Sequence, residues 1–164
     1  MFKREHLTME YATDLELKDI WGYLVAYNLV DTIFCSDKIA QFDEFTEMLV
    51  DSLVFSVRYN GDLAAMVWLN TFENKTARMH FLLLPPSRRV LIDGGREVVK
   101  RLLDWNGMHT LHGFVPEWNK GAIKYYRKLG FRDFCEMPDL AYDINRDLRG
   151  TMICSYINKE IFHG

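Results

Sequence analysis

The stretch from Leu53 to Pro86 constrains what this chain can fold into more than any other part of it. Leu53–Arg58 is rich in valine and phenylalanine and runs into Tyr59-Asn60-Gly61-Asp62. Asn-Gly between two apolar runs is a strong hairpin signal, because both residues tolerate the positive φ of a two-residue turn. A second apolar run covers Leu63–Thr71, a polar turn follows at Glu73-Asn74-Lys75, and a third run covers Thr76–Leu84. Pro85-Pro86 then ends the pattern, since proline donates no ladder hydrogen bond. Three strands joined by short turns make an antiparallel meander, and the rest of the chain must pack around it.

The flanks read differently. Thr13–Tyr27 has helical spacing at Leu17, Ile20, Trp21 and Leu24, with Thr13 as its N-cap and acids in its first turn. Ser36–Asp51 reads as a second helix through Ile39, Phe42, Phe45, Met48 and Leu49, and a further strand is expected near Phe2–Thr8. After the prolines, Val90, Val98, Leu102 and Trp105 predict a helix, and His109–Val115 a buried strand. Asn119–Phe131 reads as a short helix closed by Gly130, Phe131–Glu136 as a strand, and Thr151–Asn158 as the last strand. The polar segment from Pro138 to Gly150 is left irregular. A meander feeding a β-α-β crossover gives an α/β class fold, with one mixed sheet and helices on both faces. The 164 residues are expected to form one domain over 1–164.

Composition excludes several functions. Net charge is −3, which argues against holding nucleic acid by general phosphate neutralisation, despite a local basic group at Arg88, Arg89, Arg96, Lys100 and Arg101. Cys35, Cys135 and Cys154 are odd in number and have no metal-ligand spacing, so reduced thiols and no metal are expected. No apolar run approaches the ~18 residues of a membrane span, and the opening MFKREHLTMEY lacks an apolar signal core. HExxH, Walker-loop and GxSxG patterns are all missing from the sequence.

One segment carries a pattern with chemical content: Asn119-Lys-Gly-Ala122-Ile-Lys-Tyr-Tyr126-Arg-Lys-Leu129-Gly130-Phe131. Ala122 is small where a helix approaches a sheet, and Tyr126 lies two helical turns beyond Asn119, so both can face one cleft. A half-buried packing tyrosine accounts for Tyr126 equally well. The segment, and the element order from Leu53 to Asn158, resemble the GNAT (GCN5-related N-acetyltransferase) superfamily. The resemblance places a pyrophosphate-binding loop at Arg89-Val-Leu-Ile92-Asp93-Gly94, whose last glycine matches the family pattern. Ile92 stands where the middle glycine is expected, and Asp93 adds a negative charge. That departure, with the Gly94-Arg96-Glu97 start and Leu103-Asp104-Trp105 end of the following helix, looks like a divergent branch of GNAT-like proteins encoded by phages and prophages.

The resemblance implies acetyl-CoA as co-substrate, bound by Arg88, Arg89, Val90, Gly94, Gly95, Asn119 and Tyr126. It implies an unidentified amine as acceptor, and Tyr126 as the acid that protonates the leaving thiolate. The position where the family often carries a basic glutamate holds Arg78. His80 on the same face, and Glu117 after the next strand, are the candidates to replace it, with His112 a weaker one; each is equally an ordinary structural residue. Location in the cytoplasm is expected, that of the host if the chain is phage-encoded. Two functions stay open: an acetyl-CoA-dependent N-acetyltransferase, or a catalytically inactive GNAT-shaped protein engaging a host or virion protein partner. A homodimer formed through an exposed C-terminal edge strand is also compatible with the pattern.

Overall fold

The computed structural model describes residues 6–85 and 91–164. Seven strands form one mixed sheet in the order β1-β2-β3-β4-β5-β7-β6. In sequence they are β1 (Leu7–Tyr11), β2 (Leu53–Tyr59), β3 (Asp62–Glu73), β4 (Thr76–Leu83), β5 (Thr110–Pro116), β6 (Arg132–Asp143) and β7 (Leu148–Asn158). The helices are α1 (Asp14–Ala26), α2 (Val30–Ile33), α3 (Phe42–Met48), α4 (Leu91–Asp104), α5 (Lys120–Leu129) and α6 (Lys159–His163). The meander stands where the Asn-Gly turn places it: Tyr59 pairs with Asp62, and Asn60 and Gly61 both take positive φ, 52° and 94°.

The period-2 alternation of the strands divides the side chains between two layers. Phe55, Val57, Ala65, Val67, Leu69, Ala77, Met79, Leu111 and Val115 face one way and are covered by α4 and α5 through Val98, Val99, Leu102, Ile123 and Leu129. Met66, Trp68, Leu82 and Leu84 face the other way, beneath Ile20, Leu24, Phe34 and Phe45 of the N-terminal segment. Each fully buried Leu, Ile or Phe contributes about 1.5–3 kcal/mol relative to exposure, so both layers are needed. The N-terminal cover is pinned at its start. Thr13 Oγ1 accepts from the Glu16 amide at 3.2 Å, and the Glu16 carboxylate accepts from the Thr13 amide at 2.9 Å, a closed capping box. Arg58 of β2 then grips the same carboxylate at 2.8 Å, tying α1 to the sheet.

Two expectations are corrected. The second helix does not run over Ser36–Asp51; it is split into the one-turn α2 and the seven-residue α3, with residues 34–41 between them. Phe34 and Ile39 enter the core from that irregular stretch, and the side chain of Glu44 accepts from the Gln41 amide to start α3 afresh. The polar segment 138–150 is no loop either. Most of it belongs to the β6–β7 hairpin, whose tip turns on Asp143: its carboxylate accepts from the amides of Asn145 and Arg146 and from Arg146 Nε. β1 and β6 are the edge strands, and β6 is broken by Pro138, a left-handed Asp139 and two irregularities in its ladder with β7. Those are features that blunt an edge against further pairing.

Candidate active site

β4 and β5 are parallel neighbours over three residues only, Thr76–Arg78 against Thr110–His112. β4 continues alongside β3 to Leu83, while β5 continues alongside β7 to Pro116. Beyond Arg78 and His112 the sheet therefore opens into a wedge, and the backbone groups along its two sides lose their ladder partners. Tyr126 fills the apex. Its hydroxyl donates to the Met79 carbonyl at 2.6 Å, replacing the partner that β5 no longer supplies. Its ring lies flat against Gly113, where a side-chain carbon would collide with ring atoms, and packs edge-on to Phe81 and Phe131. A glycine on β5 at this point is thus the condition for a tyrosine in the wedge. Burial pushes the Tyr126 hydroxyl well above the usual phenol range, so it stays protonated.

α5 sets that tyrosine. The Asn119 side chain accepts from the Ala122 amide at 3.1 Å, an N-cap, and Gly130 closes the helix at φ 102°. The helix carries Lys120, Lys124, Arg127 and Lys128 and no acid. Tyr125, one residue before Tyr126, turns toward α4: its ring packs on Phe81 at 4.7 Å, and its hydroxyl stands over Gly95, where no side chain would fit. Between Phe81, Leu83, Gly95 and Tyr125 a crevice of about 10 Å³ remains. Gly94 and Gly95 lie within the first turns of α4 rather than in a loop before it. Arg88, Arg89 and Val90 lie outside the described residues, as do the side chains of Ile92 and Asp93.

The other candidates sit on the opposite face of the sheet, the one partly covered by α1–α3. His80 stacks on Trp68, 4.9 Å apart and 6° from parallel, and its Nε2 lies 3.0 Å from Asn70 Oδ1. That oxygen accepts, so Nε2 carries the proton and Nδ1 the lone pair. Burial first, and the Arg78 cation second, lower the His80 pKa to about 4. The ring is neutral near pH 7. Glu117 accepts from the Thr151 amide at 2.8 Å and lies against Gly150, so it extends the β5–β7 ladder with its side chain. His112 makes an edge contact with Phe134, on the face of β5 away from Tyr126. The structure thus places Tyr126 at the apex of the wedge on one face of the sheet and Arg78 and His80 on the other face of β4, and leaves Glu117 beyond the end of β5.

In the sequence Arg78 stands out only as the residue where the resemblance expects a glutamate. In the fold its guanidinium lies over the Phe114 ring at 4.2 Å from the centroid, on the floor of the His80 face. Gly113 and Phe114 were equally unremarked. The alternation of His109–Val115 was legible, but pairing a glycine with a tyrosine across a wedge needs the third dimension. A roomier cleft of about 450 Å³ lies at the other end of the sheet, between Leu53, Phe72, Trp105 and the β3–β4 turn. Volume favours that cleft and chemistry does not, since none of the titratable groups above reaches it. No grouping of His, Cys, Asp and Glu among the described residues could hold a metal ion. Among the same residues, no helix is long and apolar enough to cross a membrane.

No family model matches the sequence, and no curated protein matches it. Solved structures do. A spermidine N-acetyltransferase from Vibrio cholerae, solved in complex with CoA and spermine, superposes with a TM-score of 0.79 at 15% identity, over 96% of this chain and 98% of its own. A point variant of the Vibrio cholerae enzyme gives a TM-score of 0.77 at 15% identity over 96% of both chains. A dodecameric structure of it in an intermediate state gives 0.70 at 17% over 94% of both. At such identities the likeness speaks for the fold alone, and this chain has the fold of these spermidine N-acetyltransferase structures.

Proposed function

We propose that this protein is an acetyl-CoA-dependent N-acetyltransferase acting on a primary amine. One observation carries the reading: the wedge between β4 and β5 has a protonated tyrosine hydroxyl at its apex. The solved neighbours share this fold, and one was solved with CoA, so the same co-substrate is the natural occupant here. The acyl arm would enter between the strands, and the N-terminal turn of α4, opened by Gly94 and Gly95 after Arg88, Arg89 and Val90, would receive the pyrophosphate. The lysines and arginine of α5 give that side of the molecule the charge an anionic nucleotide needs. Tyr125 must swing off Gly95 to admit the arm, since the crevice beneath it has room for about one water.

In the reaction a neutral amine attacks the thioester carbonyl from the His80 face. The C–N bond forms, the C–S bond breaks, and the departing sulfur takes a proton. Tyr126 gives it in this reading, which is supported by the burial that keeps the hydroxyl protonated and by the Met79 carbonyl that holds it until the sulfur arrives. The amine proton leaves through His80 Nδ1 or a water held there. A histidine with a pKa of about 4 accepts weakly but is never blocked by its own charge near neutrality. The divergence of residues 92–93 fits a phage-type branch of the fold. Isothermal titration with acetyl-CoA, and with desulfo-CoA as a control, tests the reading. Micromolar saturable binding, followed by transfer to an amine, is expected; lack of binding at millimolar ligand would end it.

A further inference from the structure

We propose that Arg78 seats an acidic group of the acceptor, so that the amine this protein acetylates sits beside a carboxylate, as in an α-amino acid. The inference rests on the acetyltransferase reading and adds the acceptor's chemical class. Arg58, Arg101, Arg127 and Arg146 each hold a carboxylate of the protein itself. Among the described residues Arg78 holds none, and it donates no hydrogen bond. It is nonetheless only partly exposed, and no side-chain nitrogen of such a residue is sealed from solvent without a partner. Its N–H groups therefore reach solvent. The Phe114 ring fixes the guanidinium plane at 4.2 Å and leaves the edge donors free, the arrangement that accepts a planar carboxylate through two parallel bonds.

The surroundings narrow the class. On this face of the sheet, Arg78 is bordered by Asn70 and His80 from β3 and β4, by His112 and Phe114 from β5, and by Cys154 and Tyr156 from β7. None of these is an acid, and His80 is neutral near pH 7. A bare polyamine would set an ammonium against the guanidinium, with no carboxylate on this floor to offset the repulsion. The segment 13–51 that covers part of this face carries nine acids and two lysines, a net of −7. That field opposes a purely anionic acceptor. A zwitterion satisfies both: its ammonium suits the acidic cover and its carboxylate suits Arg78.

The test uses probes that differ by a single carboxylate, tyrosine against tyramine and ornithine against 1,4-diaminobutane. Binding to the intact protein is followed through tryptophan fluorescence, because Trp68 stacks on His80 beside the site. Acetyl transfer from acetyl-CoA and the acetyl-CoA Kd are measured alongside. The amino acid of each pair is expected to bind about tenfold tighter than its decarboxylated partner, the effect of one charge-assisted pair. Arg78→Met should erase the difference, Arg78→Lys should keep part of it, and Arg78→Glu should reverse it, with the acetyl-CoA Kd moving less than about threefold. Equal binding within the pairs overturns the proposal, as does a preference that survives Arg78→Met, or failure of every probe to bind at high millimolar concentration. If the preference appears while acetyl-CoA fails to bind, Arg78 keeps its assignment and the acetyltransferase reading falls. Circular dichroism and the urea midpoint of Arg78→Met separate loss of the site from loss of the fold.

Discussion

Tyr126 serves two purposes with one hydroxyl, and they can be separated by measurement. Tyr126→Phe removes the donor from the Met79 carbonyl and leaves that acceptor buried without a partner, which costs about 1–3 kcal/mol in urea unfolding. It also removes the acid, so kcat should fall about 10²–10⁴-fold while the acetyl-CoA Kd changes little. A drop in kcat no larger than the stability loss explains would leave Tyr126 as packing alone. His80 makes a prediction in pH. Its folded pKa of about 4 lies below its ordinary 6.5, so the folded state resists the proton that the unfolded chain accepts. The contribution is present in full above pH 6.5 and is lost as pH falls from there toward 4. Its size is at most roughly 3 kcal/mol, from the shift at 1.36 kcal/mol per unit. His80→Gln should flatten the dependence of the urea midpoint on pH in that window. An unchanged slope would mean that the imidazole is better hydrated than its place beneath Trp68 implies.

At the scale of elements, α5 shows how far a sequence can be read and where it stops. Its existence and its left-handed stop were legible, because Gly130 acts on its own backbone within one turn, whereas the N-cap role of Asn119 emerges only in the fold. Asn119→Ala should accordingly cost about 1 kcal/mol, read from the urea midpoint, with a weaker second effect on acetyl-CoA affinity as the helix start frays. The meander was legible for the same reason: the Asn-Gly turn and the alternation of β2–β4 are local. What failed was non-local. Residues 34–41 carry helix-compatible residues, yet Phe34 and Ile39 are drawn into the layer under α1, and the chain is irregular there. The β6–β7 hairpin hid behind its polar composition, because an edge strand shows polar groups to solvent on most of its length. Of the site, Tyr126 and His80 were visible as residue types at a spacing. Arg78 was visible only as a substitution, since its lack of a partner is a property of every neighbour at once. Gly113 makes the contrast sharp: Gly113→Ala should destabilise by about 1–3 kcal/mol by overpacking the fixed Tyr126 ring, although the sequence shows it only as a glycine within a predicted strand, with no sign of the ring it faces.

The whole molecule is a sheet divided almost in two. β1–β4 and β5–β7 are each continuous antiparallel units, and the seam between them is a ladder of three residue pairs, Thr76–Arg78 on Thr110–His112. Among the described residues, the seam beyond Arg78 is closed on the α4 and α5 side by side chains, chiefly Tyr126 between Met79 and Gly113. An acyl arm lying in the wedge would stand in for the missing ladder, contacting both halves at once. Binding and global stability should therefore be coupled. At a hundredfold excess over Kd, acetyl-CoA adds about 2.7 kcal/mol by mass action, an expected rise in Tm of roughly 5–10 °C for a chain of this size. Hydrogen exchange gives the decisive pattern. Within Met79–Leu83 and Gly113–Val115, the amides that point away from β3 and β7 face a broken ladder, and they should exchange well before the amides that Thr76–Arg78 and Thr110–His112 share across the seam in the free protein. With acetyl-CoA the two sets should converge, while β6 and β7 change little. Protection gained instead around Leu53, Phe72 and Trp105 would move the binding site to the cleft at the far end of the sheet, and with it the chemistry assigned to Tyr126.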